Sequence, residues 1–317
     1  MNRVLAVLVG LCIAGCGGPG EDDPSSTLGG ELTVPDESQV VTTTEGSTEV
    51  ATTTTIGVTT TTTTIPGEAV VVAEEGVLGM WTGTIWRDDV VLADVPFGGE
   101  YQVFDFLGSS SIAVGGTPVD NQCHLASRQV YVELTPDPWP VSSVFWANKV
   151  AVLAPWSVAP HPIVELEADS TWRGIASDVL RELGVSDPNP EFVQLIRVDM
   201  EGDGVDEVLA VVERFRGRGE DIHAASAGDY SVAFLRKAVD GTVQTFVLGH
   251  YVVEAQPEGW IQDLVLSRVD GLVDIDQDGV DEIVLRTVYY EGSAAEVLDW
   301  QGSGVGFVSV LVQGCGS

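Results

Sequence analysis

Two stretches of the chain carry acids at a spacing suited to chemistry. They are Asp199–Glu207, reading DMEGDGVDE, and Asp274–Glu282, reading DIDQDGVDE. In both, acids stand at the first, third, fifth and ninth positions and Gly at the sixth. A hard divalent cation such as calcium needs several oxygen ligands at short range, and carboxylates at alternate positions of a tight loop converge on one point. Gly204 and Gly279 supply the backbone freedom for the sharp turn. The ligands expected in the first loop are Asp199, Glu201, Asp203 and Glu207, with the carbonyl of Val205. Those expected in the second are Asp274, Asp276, Asp278 and Glu282, with the carbonyl of Val280. Asp206 and Asp281, at the eighth position, either lend an oxygen through water or face solvent. Without a cation the clustered carboxylates would repel and raise one another's pKa. The expected cofactor is therefore Ca2+, at two sites with a structural role.

The flanks say which elements position these loops. An EF-hand requires a bidentate Glu at position twelve, where this chain has Ala210 and Leu285. The flanking runs, FVQLIRV and VLAVV, then GLV and IVL, are rich in Val and Ile, which suits strands better than paired helices. The pattern D-x-[DE]-x-D-G-x-x-E between strands resembles the calcium loop of the FG-GAP/VCBS-type repeats of integrin-like β-propellers and many bacterial surface proteins. That resemblance implies two propeller-like repeats over residues 191–317. Glu201 departs from the Asp or Asn usual in the family, and its longer side chain weakens the first site. Each copy reads as strand, acidic loop, strand, spacer and hairpin. The hairpins are Tyr230–Arg236 with Thr242–Leu248, and Glu296–Trp300 with Val305–Val312. The first spacer holds Arg214, Arg216 and Arg218, either an anion or partner contact or a solvated loop that neutralises nearby carboxylates.

Upstream, residues 69–190 read as a β-rich region ending in an amphipathic helix. Strands are expected at Thr82–Trp86, Tyr101–Phe106, Val130–Leu134, Val144–Trp146 and Val150–Leu153, with Gly, Pro and Asp between them. Tryptophans 81, 86, 139, 146 and 156 belong either to the core or to an aromatic ligand groove. The helix is capped by Ser170 or Thr171. It carries Trp172, Ile175, Ala176, Val179, Leu180 and Leu183 on one face, and Gly184 ends it. Its stripe should pack on the sheet that carries the first acidic loop. The fold class expected is mainly β: short antiparallel strands, two propeller-like repeats and one packed helix.

The N-terminus gives an address. Residues 1–15 read as a secretory signal, with Arg3 as the charged start and an apolar run, Val4–Ile13, too short to span a bilayer. The run Ile13-Ala14-Gly15-Cys16 resembles the lipobox of bacterial lipoproteins. That resemblance implies cleavage before Cys16, diacylglycerol on its sulfur, and anchoring on the extracytoplasmic face of the cell membrane. Residues 16–68 then form a stalk. It is rich in Thr, Gly, Ser and acids and has no aromatic residue to seed a core. Cys123 and Cys315 are the thiols left after lipidation. Outside the cytoplasm a pair tends to oxidise, so a disulfide is expected; two buried thiols or a bridge to a partner are the alternatives.

The 317 residues include 14 basic and 48 acidic side chains, for a formal charge of −34. Such a surface repels nucleic acid and anionic lipid. No G-x-S-x-G, H-E-x-x-H, P-loop or G-x-G-x-x-G phrase stands in a fitting context, and no catalytic residue is assigned. The sequence thus reads as a lipid-anchored surface module that binds a protein or glycan or supports the envelope. The alternative is a secreted, lipid-anchored hydrolase with unrecognised catalytic carboxylates.

Overall fold

The structure is a computed structural model and describes residues 4–6, 67–121, 129–139, 148–215, 225–254, 265–289 and 292–316. Cys16, most of the stalk, Cys123, Val144–Trp146, Arg216 and Arg218 lie outside the described residues.

The chain is mainly β, with a single α-helix among the described residues. It opens with β1 (Val4–Ala6), β2 (Ala69–Ala73), β3 (Gly76–Trp81), β4 (Trp86–Arg87), β5 (Glu100–Asp105), β6 (Ser110–Gly115), β7 (Val119–Asn121), β8 (Gln129–Tyr131), β9 (Leu134–Thr135) and β10 (Lys149–Leu153). Strands β7 and β8 pair with each other, and the rest from β2 onward form one sheet in the order β4-β3-β2-β10-β5-β6-β9. Next come β11 (Ile163–Glu165), helix α1 (Ser170–Glu182), β12 (Glu191–Val198), β13 (Glu207–Arg214), β14 (Tyr230–Val239) and β15 (Thr242–Val252). Strands β11 to β15 are antiparallel neighbours in one meander, and β1 runs parallel along β15 with Val4 opposite Thr245. The C-terminal meander is β16 (Leu266–Val273), β17 (Glu282–Tyr289), β18 (Gly292–Trp300) and β19 (Phe307–Gly316).

The C-terminal meander is the middle layer, because alternate side chains of a strand face opposite ways. Ile283 and Leu285 of β17 join Leu209, Val211, Leu235 and Phe246 of the β11–β15 meander in one core. Val284, between them, joins Val71, Val150 and Val152 of the N-terminal sheet in another. The approach to that sheet is close: a Cβ at Gly271 would lie 2.7 Å from Val150 Cγ1. The outer face of the β11–β15 meander is covered by α1. Its Ala176, Val179 and Leu180 are buried against Ala210, Val212, Phe234 and Val247, with Trp172, Ile175 and Leu183 packed alongside. The stripe expected from the sequence is therefore the one buried, and it lies on the sheet that carries the first loop.

Several boundaries differ from the sequence reading. The helix cap is Asp169, whose carboxylate accepts from the amides of Thr171 (2.8 Å) and Trp172 (3.0 Å). A charged acceptor at this position outcompetes the hydroxyls one and two residues on. Of the expected strand Thr82–Trp86, the first four residues form the turn between β3 and β4, closed by the Thr82 amide on the Ile85 carbonyl at 3.1 Å, and Trp86 begins β4. The stretch Val130–Leu134 is divided between β8 and β9. Of the tryptophans, Trp139 is buried and Trp81, Trp86 and Trp156 pack partly buried against the cores.

Candidate metal centre

Each acidic loop is the hairpin connection between the first two strands of its repeat. The register across the hairpins is the same, Val198 opposite Glu207 and Val273 opposite Glu282. Both loops pin their ninth residue in the same way. Glu207 Oε2 accepts from the Met200 amide at 3.0 Å, and Glu282 Oε2 accepts from the Ile275 amide at 2.7 Å. The fifth and seventh residues are also matched, the Val205 and Val280 amides donating to Asp203 and Asp278 Oδ1, both at 2.8 Å. The loops touch: the Asp281 amide donates to the Met200 carbonyl at 2.9 Å.

In the second loop, Asp274, Asp276 and Asp278 each place a carboxylate oxygen so that the three lie within 4.8 Å of one another. Asp274 and Asp276 are half-buried and Asp278 is exposed. Glu282 beside them is only 1 % exposed. Its Oε1 and Asp274 Oδ1 are buried with no hydrogen-bond partner. An unsatisfied buried carboxylate oxygen is costly, and a cation is the group that would satisfy several at once. The electrostatics agree. Burial, then the neighbouring carboxylates Asp276, Asp299 and Asp274, hold Glu282 well above the usual carboxylate range. Asp276 is pushed up to about 6, by burial and then by Asp278. Asp274 is also raised, by burial first and Asp278 second. The donor set, all hard oxygens, fits a hard divalent cation.

The first loop uses its carboxylates differently. Among the described residues, Asp199, Glu201, Asp203 and Glu207 do not form such a converging group. Asp199 accepts from the amides of Asp203 (3.0 Å) and Gly204 (2.7 Å). Glu201 and Glu207 are both in ion-pair contact with the buried ammonium of Lys237, which lies 3.1 Å from Glu207 Oε1. The amine also stands 5.2 Å from the centre of the Trp300 ring. Burial still raises Glu207, but here the Met200 amide and Lys237 pull the other way.

The eighth positions also diverge. Asp206 pairs at the surface with Arg197 at 3.2 Å. Asp281 is fully buried rather than solvent-facing, and accepts from the His161 amide at 3.0 Å while its other oxygen meets His161 Nδ1 at 3.1 Å. Against Gly202 of the first loop, a Cβ would lie 2.9 Å from His161 Nε2. His161 thus wedges between the loops, a role that its isolation in the sequence did not suggest. Lys237 and Asp299 were also missed. The scarcity of lysine was the available signal for the first, since Lys149 is the other lysine in the chain.

A second group of buried charge lies between the N-terminal sheet and the middle meander. Arg286 is bound by Asp270 at 2.8 Å and by Glu74, with Glu75 3.6 Å away. With three carboxylates around one guanidinium, burial and the surplus negative charge raise Asp270 to about 7 despite the Arg286 contact. Cys315, at the end of β19, is disulfide-bonded. Arg214 of the arginine-bearing spacer donates to the Asp187 carbonyl at 2.6 Å.

Searches with protein-family models, among curated proteins and among solved structures find no match to this chain.

Proposed function

We propose that the protein is a lipid-anchored, extracytoplasmic surface module whose folded head is held together by a calcium-type ion at the second acidic loop. The observation that carries this reading is the meeting of Asp274, Asp276 and Asp278 within 4.8 Å, beside the buried, partnerless Glu282 Oε1. The matched four-strand runs β12–β15 and β16–β19, each with an acidic loop at its first hairpin, support the likeness to FG-GAP/VCBS-type propeller repeats, although the first run lies within a larger sheet that also holds β1 and β11. The lipobox-like IAGC and the stalk that follows supply the anchor, at Cys16. On this reading β1 belongs to the leader and leaves the sheet on cleavage, so β15 becomes an edge of the mature head. Cys315 is taken to pair with Cys123, tying the last strand to the N-terminal sheet region. The head then presents a strongly acidic surface to a protein or glycan partner, or to the envelope itself.

The test is thermal unfolding of the full chain in calcium and in EDTA. Calcium at a hundredfold excess over its dissociation constant stabilises by about 2.7 kcal/mol, which for a head of this size raises Tm by roughly 5–10 °C. Asp274→Ala with Asp278→Ala should abolish the difference. An identical Tm in calcium and EDTA for the parent chain overturns the reading.

A further inference from the structure

The two repeats can be superposed by register, and one position decides how each loop is neutralised. Across β13 and β14, Val208 faces Arg236, so the next step toward the loop sets Lys237 beside Glu207. Across β17 and β18, Ile283 faces Leu298, so the same step sets Asp299 beside Glu282. Lys237 and Asp299 are therefore equivalent positions with opposite charge. Both are buried, at 3 % and 4 % exposure.

The consequence is visible at the ninth-position glutamates. Their Oε2 atoms do the same thing in both loops, each taking the amide of the loop's second residue. Their Oε1 atoms do not. Glu207 Oε1 lies 3.1 Å from Lys237 Nζ, whereas Glu282 Oε1 is buried without a partner. In the first loop Lys237 also holds Glu201, and Asp199 is satisfied by backbone amides. In the second, no lysine or arginine is in ion-pair contact with Asp274, Asp276, Asp278, Glu282 or Asp299 among the described residues. Asp299 accepts a hydrogen bond from the side chain of Gln301.

We propose that Lys237 is the permanent cation of the first loop, and that Asp299, standing in its place in the second repeat, is an additional carboxylate of a divalent-cation site there. The chain accordingly binds one divalent ion rather than two. This rests on the reading of the second loop as a cation site. A fixed ammonium satisfies two glutamates with a single charge. Three converging carboxylates, with Glu282 beside them and Asp299 opposite Glu282 by register, suit a divalent ion better than one amine, which cannot reach or neutralise them all.

The experiment counts calcium bound to the full chain by equilibrium dialysis and calorimetry, with calcium alone as the probe. The parent should bind one ion. Asp299→Lys should bind none and lose its response to EDTA. Asp299→Asn, which keeps the shape and a bond to Gln301, should bind one ion with affinity weakened by roughly tenfold or more, since affinity follows the number of charged ligands. Lys237→Asp should bind two. Two ions on the parent, or unchanged affinity in Asp299→Asn, overturns the inference and leaves the second-loop reading intact. No ion on the parent removes that reading itself. If Lys237→Asp does not fold, the parent stoichiometry and Asp299→Asn still decide.

Discussion

Glu282 shows most plainly how the second loop is balanced. One of its oxygens takes the Ile275 amide at 2.7 Å and the other is buried among carboxylates with nothing to bind. Glu282→Gln keeps an acceptor for Ile275 and removes the buried charge. It should raise stability in EDTA by about 1 kcal/mol and abolish the gain from calcium; paired urea titrations with and without EDTA check both signs. Asp270 gives a pH prediction. Its folded pKa of about 7 stands above the ordinary 3.8, so the folded chain keeps a proton that the unfolded chain has released. The stability this contributes is fully present below about pH 3.8 and is lost as pH rises through about 7. Stability at saturating calcium should fall between pH 5 and pH 8, and Asp270→Asn should flatten that slope in urea midpoints measured at the two values.

At the scale of elements, the helix and the meanders are separate tests. Asp169 satisfies two amides at the start of α1. Asp169→Ala should cost about 1 kcal/mol, seen as a Tm lower by roughly 2–4 °C. Gln194 joins the two meanders. Its amide donates to the Val269 carbonyl at 2.7 Å and accepts from the Val269 amide at 2.9 Å, standing in for a strand where β12 and β16 both have bulges. Gln194→Ala orphans two buried backbone groups and should cost about 2–4 kcal/mol, read from denaturant midpoints. The helix stripe and the strands flanking the acidic loops were legible in the sequence, because their periodicity is local. Asp169 was not, since a cap depends on which oxygen meets the free amides. Lys237 was not either, since it reaches Glu207 across 30 residues by a hairpin register that the sequence does not spell out. For the same reason both loops, so alike in sequence, were expected to hold an ion, the first more weakly because of Glu201.

At the scale of the whole molecule, the middle meander is buried on both faces and shares its cores with the sheets on either side. Its hairpin loop carries the Asp274–Asp278 cluster, so an ion there reports on the packing of all three layers. The full chain carries a formal charge of −34, which disfavours anionic surfaces, so the proposed attachment rests on the lipid at Cys16. Cys16→Ser should move the protein from the membrane fraction to the soluble fraction without changing the Tm of the head; retention in the membrane fraction would refute the anchor. The most direct test of the central claim is tryptophan-sensitised terbium luminescence of the full chain, since Trp86 stands near Asp299 at the second loop. The account predicts emission that calcium displaces, that Asp278→Ala abolishes and that Asp203→Ala leaves intact. Emission that survives Asp278→Ala, or is lost only in Asp203→Ala, would contradict it.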